Sequence, residues 1–226
     1  MKITEYIELH NCDNRILMPK IKDNSIDLIL TDPPYGMEFQ SSRRKEKHEK
    51  IKDDNNLDWL PDFCSELKRI VKEDAHLYIF CSFHNIDIFK HEFQKLFNVK
   101  NILIWEKNNH GSGDLLGDYA PQYEMILFCS NGKKKLNNGR DSNIIKAKRT
   151  NNENHPTEKP INLMEYFIEK SSEKGDLVAD FYSGSGSTAI ACHKTGRRFI
   201  GCEIDEYFYD KSIDKIYKHT SQVQMF

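Results

Sequence analysis

Short apolar runs alternate with helical patterns along most of the chain. The runs are rich in β-branched and aromatic residues, and they predict strands at residues 6–10, 26–31, 77–81, 101–105, 124–129, 177–181 and 199–202. Apolar side chains at three- and four-residue spacing predict helices around residues 59–71, 86–97, 161–168, 190 and 207–217. Asp58 is the expected N-cap of the first of these helices.

Strands that alternate with helices indicate an α/β fold, with a mainly parallel sheet and helices on both faces. The segment 102–129 departs from this rhythm, because a polar, glycine-containing loop and no helix joins its two strands. We therefore expect an antiparallel hairpin at the sheet edge. A length of 226 residues suits one domain, residues 1–226. The Asn- and Lys-rich stretch 131–154 is predicted to be a mobile loop within that domain.

The overall charge gives no sign of a nucleic-acid partner, but the basic residues are clustered. The formal net charge is -2, although 30% of the residues are charged. Lys and Arg dominate two segments, 43–52 and 133–149. Such segments can follow the phosphates of a nucleic acid, and a solvated protein face is the alternative for each of them.

The cysteine pattern bears on the cellular compartment. The chain has six cysteines and no CxxC pair, and most of them lie in apolar stretches, where a thiol behaves as a small hydrophobe. This favours a reducing compartment over a disulfide framework or a zinc site, so we expect no bound metal. The sequence shows no signal-peptide pattern and no apolar stretch of membrane-spanning length, and the expected location is the cytoplasm.

Three motifs carry the candidate chemistry. TDPPYG at 31–36 closes a predicted strand and combines a carboxylate, a stiff Pro-Pro backbone and an aromatic ring. HPTEKP follows at 155–160. DFYSGSGST at 180–188 lies between a strand and a helix, and Glu203 ends the next strand. Glycines at such a turn permit close backbone approach to a ligand, and an acid at the position of Glu203 can accept hydrogen bonds from ribose hydroxyls. Taken alone, the third motif also fits a dinucleotide-binding unit, so an NAD(P)-binding oxidoreductase stays open.

Together, in this order, the three motifs resemble those of the β-class DNA amino-methyltransferases of the N6-adenine and N4-cytosine type. The resemblance implies a Rossmann-like fold that binds S-adenosylmethionine (AdoMet), with a seven-stranded, mainly parallel sheet and one antiparallel strand. It implies catalytic roles for Asp32, Pro33, Pro34 and Tyr35. It assigns cofactor binding to Asp13, His155, Pro156, Thr157, Lys159, Asp180, Phe181, Ser183, Gly184, Ser185, Gly186, Glu203 and Asp205. For Asp13, a helix cap is the alternative.

The reaction expected from this resemblance moves a methyl group directly from AdoMet to an exocyclic amino nitrogen, without a covalent enzyme intermediate. Asp32 and the Pro33 carbonyl would each accept one N–H and so stabilise the positive charge that develops there. Tyr35 would stack on the base, which must leave the duplex to be reached. Because proton loss follows the transfer in this scheme, Asp32 needs no unusual pKa. An Asp at the first position of the tetrapeptide favours adenine, and cytosine N4 is the alternative.

Two segments are the expected contacts to DNA. Residues 36–57 lack periodicity and are predicted to form a mobile loop over the target strand, and residues 106–154 are the expected target-recognition region. The DNA-binding candidates are Arg43, Arg44, Lys45, Lys107, Asn108, Lys133, Lys134, Arg140, Lys148 and Arg149. A homodimer and a cognate restriction enzyme are both compatible with the sequence.

Overall fold

The computed structural model describes residues 1–35, 57–111, 116–150 and 158–221. Within these ranges the strands are β1 (Ile7–Asn11), β2 (Ile26–Thr31), β3 (Val71–Cys81), β4 (Asn98–Glu106), β5 (Tyr123–Ser130), β6 (Ile144–Lys146), β7 (Leu177–Asp180) and β8 (Arg198–Glu203). The α-helices there are α1 (Asn14–Leu17), α2 (Leu60–Ile70), α3 (Ile86–Phe93), α4 (Ile161–Ser171), α5 (Ser187–Thr195) and α6 (Glu206–Ser221).

The strands form one sheet in the order β1-β8-β7-β2-β3-β5-β4-β6. β5 is antiparallel to both of its neighbours, β3 and β4, and the other pairings are parallel. The predicted antiparallel hairpin is therefore confirmed as β4 and β5, although the edge strand on this side of the described sheet is β6 and not β4. Because only β5 runs the other way, the carboxyl ends of the other strands share one edge of the sheet. We call it the carboxyl edge, and the opposite one the amino edge.

Hydrophobic side chains cover both faces of this sheet. All six residues of the central strand β2 are buried. Ile29 packs with the cluster that contains α2 and α3, whereas Leu28 and Leu30 pack with the cluster that contains α4, α5 and α6. A parallel strand covered on both faces has no solvent side, which explains why β2 is apolar except at Asp27 and Thr31. In the parts of the chain that are described, no helix combines the length and apolar character that crossing a membrane requires.

Strand and helix boundaries follow the sequence pattern closely in the centre of the fold. β2 has the predicted bounds, whereas β3 begins at Val71 instead of residue 77, because the charged residues 72–74 hide its first part. The N-cap of α2 is Trp59, which makes no side-chain capping hydrogen bond, so the prediction of Asp58 was wrong. Pro61 lies in the first turn of α2, where a missing N–H costs nothing.

The described sheet has eight strands, whereas the resemblance implied seven. The additional strand is β6, which pairs with β4 at its outer edge. It lies in the stretch 131–154, and the described part of that stretch is attached to the fold rather than loose. The Ala147 carbonyl accepts a 2.8 Å hydrogen bond from the Trp105 indole, and the Asn137 N–H donates to the Lys170 carbonyl at 2.9 Å. A three-residue strand carries too few residues for a periodic signal.

A crevice is expected where the strand order reverses. The chain continues from β2 to β3 on one side and from β7 to β8 on the other, so the reversal falls between the adjacent strands β2 and β7. In open α/β sheets, ligands bind outside the carboxyl ends of the strands at such a point. The segments that follow Thr31 and Asp180 flank this crevice.

Candidate active site

The tetrapeptide 32–35 leaves β2 at the carboxyl edge and is held by several contacts. The Tyr35 hydroxyl donates a hydrogen bond to Asp32 Oδ1, and Lys159 Nζ donates one to Asp32 Oδ2. From the segment after β3, the side-chain amide of Asn85 donates to the Tyr35 carbonyl. Pro33 is buried, and Asp32, Pro34 and Tyr35 are partly exposed. The carboxylate that the sequence assigns to catalysis is therefore fixed in orientation through both of its oxygens.

Four side chains form a line of ion pairs that starts at Asp32, and we call it the charge chain: Asp32, Lys159, Glu124 and Lys107. Lys159 Nζ lies 3.2 Å from Glu124 Oε2, and Lys107 Nζ lies 2.7 Å from Glu124 Oε1. Lys159 Nζ also lies 4.9 Å from the centroid of the Phe80 ring. Carboxylates and ammonium groups alternate along the charge chain, so its formal charges cancel.

Burial and these ion pairs shift the pKa values in the charge chain. Burial raises the pKa of Asp32 above its ordinary value; Lys159 offsets part of that shift and Glu124 adds to it. Burial alone would lower the pKa of Lys159, but Asp32 and Glu124 hold it above its ordinary value, so Lys159 is an ammonium ion. Burial alone would raise the pKa of Glu124, but Lys159 and Lys107 hold it below its ordinary value.

The carboxylate of Asp180 connects β2 to the glycine loop. Thr31 Oγ1 donates to Asp180 Oδ1 at 2.8 Å, and Thr188 Oγ1 donates to Asp180 Oδ2 at 2.7 Å. The Tyr182 N–H also donates to Oδ1, at 3.2 Å. Burial raises the pKa of Asp180 to about 6, although hydrogen bonds from Thr188 and Thr31 oppose this shift. The side chain assigned to the cofactor therefore makes internal hydrogen bonds that fix the glycine loop against the catalytic strand.

The glycine loop requires its glycines for two reasons. Gly184 and Gly186 have φ angles of 50° and 74°, in the left-handed region that side chains disfavour. A Cβ on Gly186 would lie 3.1 Å from Ile216 Cδ1, so a side chain there would also crowd α6 and require Ile216 to shift. Beside these glycines, the buried Ser183 hydroxyl has no hydrogen-bond partner within the described residues. A polar group of a ligand can satisfy a buried hydroxyl of this kind.

Glu203 ends β8 next to the glycine loop. Its carboxylate accepts hydrogen bonds from the Gly184 N–H at 2.8 Å and the Asp205 N–H at 3.0 Å, and burial raises its pKa. Two further predicted cofactor residues act as helix caps nearby. Asp205 accepts from the Phe208 N–H in α6 at 3.1 Å, and Asp13 caps α1 through the Arg15 N–H at 2.8 Å. The helix-cap alternative for Asp13 is thus observed.

Phe181 and Ser185, which the resemblance assigns to the cofactor, direct their side chains into the protein. Phe181 is 2% exposed, and its ring centroid lies 6.3 Å from that of Phe63 in an edge-to-face contact. The Ser185 hydroxyl is buried 3.5 Å from Lys215 Nζ, a residue of α6. Their contribution to the site is through the backbone shape of the loop.

A buried ion pair attaches the HPTEKP segment to α6. Glu158 Oε1 lies 2.6 Å from Lys215 Nζ, and the two side chains are 7% and 9% exposed. The next residue, Lys159, reaches Asp32. The segment 158–160 therefore contacts both α6 and the Asp32 carboxylate. His155, Pro156 and Thr157 lie outside the described residues, as do Arg43, Arg44 and Lys45 and all of the predicted loop 36–57 except Leu57.

The described DNA-binding candidates do not share one surface. The Lys133 N–H donates to Asp74 Oδ1 at 2.6 Å, and the Lys134 carbonyl accepts from His76, which places both lysines at the amino edge. Arg140 follows Gly139, whose carbonyl accepts from Lys170 near the end of α4 at that same edge. The first part of the stretch 133–149 therefore lies at the amino edge, and DNA binding by this stretch stays a prediction. The antiparallel β5 is the cause, because it returns the chain to the edge opposite Asp32.

The remaining candidates lie at the carboxyl edge. The Asn108 side-chain oxygen accepts a 2.8 Å hydrogen bond from the Arg149 N–H, so the end of β4 and the segment after β6 meet there. Lys148 is exposed beside them. Lys107 differs, because its side chain is only 13% exposed and its ammonium pairs with Glu124. In the loop between β4 and β5, Tyr119 is 94% exposed.

Several residues of the site carried little or no assignment from the sequence. They are Thr31, Asn85, Glu124, Glu158, Thr188 and Lys215, all of which hold a predicted site residue or its loop. Lys215 left one detectable signal, since it interrupts the buried face of α6 between Ser212 and Ile216. Glu124 left a similar signal, because it is a charged residue at the start of an otherwise apolar strand.

Comparisons with known proteins agree with this geometry. The family model described as DNA methylase, of the N6/N4 type, matches residues 26–214. DNA adenine methyltransferase YhdJ of Escherichia coli (strain K12) is 27% identical over 237 residues, which cover 88% of this chain and 79% of YhdJ. Type II methyltransferase M2.MboI of Moraxella bovis is 29% identical over 231 residues, covering 86% of this chain and 82% of M2.MboI.

Two solved structures show the same fold. The structure of M1.HpyAVI in complex with SAM has a TM-score of 0.71 at 24% identity, and the match covers 92% of this chain and 99% of that one. The cytosine-N4-specific PvuII DNA methyltransferase has a TM-score of 0.76 at 17% identity, with 97% and 93% covered.

The fold and the site together define a methyltransferase of the Rossmann-like class. The chain belongs to the N6/N4 DNA methylase family, since the family model spans most of its length. The resemblance stated from the three motifs is thus confirmed, and with it the α/β fold and the assignment as an enzyme. The NAD(P)-binding oxidoreductase considered for the glycine loop alone is excluded.

Proposed function

We propose that this chain transfers the methyl group of AdoMet to the exocyclic N6 of adenine in DNA. One observation carries the proposal: the tetrapeptide 32–35 and the glycine loop lie at the same edge of the sheet and are joined through Asp180. An amine acceptor and a cofactor loop are thereby held next to each other. The adenine methyltransferase YhdJ among the relatives supports adenine as the base.

The residues of the crevice fit AdoMet. Gly184 and Gly186 have no side chain that would keep a ligand away from the loop backbone. The buried Ser183 hydroxyl has no hydrogen-bond partner among the described residues and can bond to a polar group of the cofactor. Glu203 would hold the ribose hydroxyls at the end of β8. The bound cofactor supplies an electrophilic methyl group on a positively charged sulfur. All other contributions come from side chains and backbone of this chain.

The tetrapeptide would act by accepting hydrogen bonds from the target amine. Asp32 would accept one N–H and the Pro33 carbonyl the other, which stabilises the positive charge that develops on the nitrogen. Tyr35 has a second function besides stacking on the base, because its hydroxyl orients Asp32. Lys159 fixes the other oxygen of the same carboxylate. Groups that are oriented before the reaction reduce the entropic part of the barrier.

The target base would leave the duplex to reach Asp32, since the amine is inaccessible within stacked DNA. Exposed groups at the carboxyl edge suit contact with the surrounding DNA. The Phe83 side chain is 53% exposed, and it stands two residues before Asn85, which holds the Tyr35 backbone. Lys148, Arg149 and the loop with Tyr119 lie at the same edge.

The reaction is tested with isotopically labelled AdoMet and unmethylated duplex DNA. After digestion to nucleosides, mass spectrometry should find label in N6-methyladenine. Label in N4-methylcytosine instead would overturn the choice of base while leaving the methyl-transfer chemistry intact. This alternative is kept because the PvuII enzyme, which shares the fold, is specific for cytosine N4. DNA without label, under conditions where AdoMet binds, would overturn the proposed function.

Neutralising Arg43, Arg44 and Lys45 together is expected to weaken DNA binding and leave AdoMet affinity unchanged. If all three contact phosphates, the slope of log K against log salt should flatten by roughly 3, because about 0.9 counterions are released for each neutralised phosphate. Fluorescence anisotropy of labelled DNA between 50 and ~200 mM salt measures this slope.

A matched control neutralises three basic residues at the amino edge, namely Lys133, Lys134 and Arg140. The structure places them away from Asp32, so this variant should keep the salt slope of the parent protein. Equal losses in both triple variants would show that DNA is held by general charge and not by the segment after the tetrapeptide.

The remaining predictions concern partners and location. A flipped base, a homodimer and a cognate restriction enzyme stay predictions, although M2.MboI is a type II methyltransferase. We propose that the protein acts in the cytoplasm, where it would meet its DNA substrate and where thiols stay reduced. All six cysteines are free, which suits that compartment.

A further inference from the structure

Glu124 lies between two ammonium groups and one step away from the catalytic carboxylate. It extends from the start of β5, a strand fixed on both sides by β3 and β4. Lys159 Nζ contacts both Asp32 and Glu124, while Lys107 Nζ contacts only Glu124 of these two carboxylates. Neither the motifs nor the family comparison gives this glutamate a role in the reaction.

We propose that Glu124 is a positioning residue for methyl transfer, which holds Lys159 in place beside Asp32 and balances its positive charge. The proposal rests on the proposed function, in which Asp32 accepts a hydrogen bond from the target amine. Glu124 would act through Lys159, and Lys107 would in turn limit how strongly Glu124 attracts Lys159. The charge of the whole charge chain then sets how well Asp32 stabilises a developing positive charge.

Charge balance explains why a buried lysine beside Asp32 is compatible with the reaction. A charge chain with a net positive charge would oppose the positive charge that develops on the amine. Glu124 offsets one of the two ammonium groups, so the charge chain as a whole is neutral. Buried ions interact strongly over these distances because solvent screens them little.

The groups that face Asp32 from the surrounding elements are limited in kind. They are Tyr35 on its own segment, Cys81 from β3, Glu124 from β5, Lys159 before α4 and Asp180 from β7. Burial raises the pKa of Tyr35 and also raises that of Cys81 to about 12, so both are neutral at working pH. Glu124 and Lys107 are therefore the residues to exchange. Replacing them changes the charge near Asp32 but leaves Asp32, Lys159 and the hydrogen bonds of Asp180 in place.

Glu124→Gln and Lys107→Gln are expected to change the pH dependence of kcat in opposite directions. Glu124 raises the pKa of Asp32. Its neutral replacement should therefore lower that pKa, and the acidic limb of kcat should move down by about one pH unit. Lys107→Gln leaves the negative charge of Glu124 less balanced, so the pKa of Asp32 should rise and the acidic limb of kcat should move to higher pH. Glu124→Gln should also lower kcat about tenfold at pH 8, because the charge chain becomes positive where positive charge develops.

The double variant separates positioning by charge from a merely structural role. Glu124→Gln with Lys107→Gln restores a neutral charge chain, so the acidic limb should return to the position of the parent and kcat should recover to within about threefold. If Glu124 and Lys107 act only through the contacts that they make, kcat of the double variant should instead be lower than that of either single variant. Kinetics at saturating DNA and AdoMet keep any change in DNA affinity out of kcat.

A control and a second measurement complete the test. Asp27→Asn breaks a 2.7 Å pair with Lys72 at the other end of β2, and it should leave the limb unmoved. A carbon-13 NMR titration of the Asp32 carboxyl, assigned with Asp32→Asn, reads its pKa without any turnover. If the parent methylates no DNA, the proposed function fails while this titration still tests Glu124. Shifts that are absent, or equal in sign for both single variants, would overturn the role of Glu124.

Discussion

Replacing Asp32 with alanine is expected to lower kcat about 10³-fold, because the amine loses the acceptor that stabilises its developing charge. Asp32 is only partly exposed, and both of its oxygens are already oriented, by Tyr35 and by Lys159. Alanine removes the acceptor without adding bulk. The affinity for AdoMet should stay within a few-fold of the parent, because the glycine loop and Glu203 do not contact this side chain. Single-turnover methylation and a calorimetric titration with AdoMet measure the two quantities.

The same variant separates the candidate roles of the tetrapeptide. Thermal unfolding with and without AdoMet serves as the control, since a shift of Tm on cofactor addition shows that the pocket persists. Loss of methylation together with retained cofactor stabilisation is the expected pair of results. Methylation at the parental rate in Asp32→Ala would remove the mechanism described above, whatever base is modified.

Replacing Glu158 with glutamine is expected to reduce the free energy of unfolding by about 3–5 kcal/mol, the cost of removing one partner from a buried ion pair. Lys215 is 8% exposed, and within the described residues its ammonium would keep only the hydroxyls of Ser185 and Ser187. The charge would then be buried against neutral partners. Urea denaturation followed by circular dichroism measures the loss.

Two comparisons make this stability prediction specific. The double variant Glu158→Gln with Lys215→Met removes the charge as well as its partner, so it should recover much of the loss. Glu106→Gln breaks an exposed pair with Lys146 at 3.3 Å and should have little measurable effect. If Glu158→Gln proved as mild as Glu106→Gln, the HPTEKP segment would not be anchored to α6 by charge.

The parts of the fold that were predictable are those in which neighbouring residues carry the signal. The bounds of β2 follow from one apolar run that ends in a polar tetrapeptide, and the β4–β5 hairpin follows from a missing helix. The motifs around Asp32 and the glycine loop are likewise local. Their order along the chain is enough to indicate the family.

Contacts between distant segments could not be read from the sequence. The hydrogen bond from Thr31 to Asp180 joins residues 149 positions apart, and the one from Lys159 to Asp32 joins residues 127 apart. Each pair depends on the strand order of the sheet, which no local pattern specifies. The amino-edge position of Lys133 is a similar case, because it follows from the direction of β5 alone.

The single antiparallel strand has a consequence for how such enzymes can diversify. Since β5 runs from the carboxyl edge to the amino edge, the loop before it lies at the carboxyl edge, where Asn108 contacts Arg149, and the described residues of this loop stay outside the sheet. That loop can change in length and composition while the strands, the glycine loop and Asp32 keep their places. A family could thus acquire new DNA target sequences by varying one segment, with the methyl-transfer chemistry inherited unchanged.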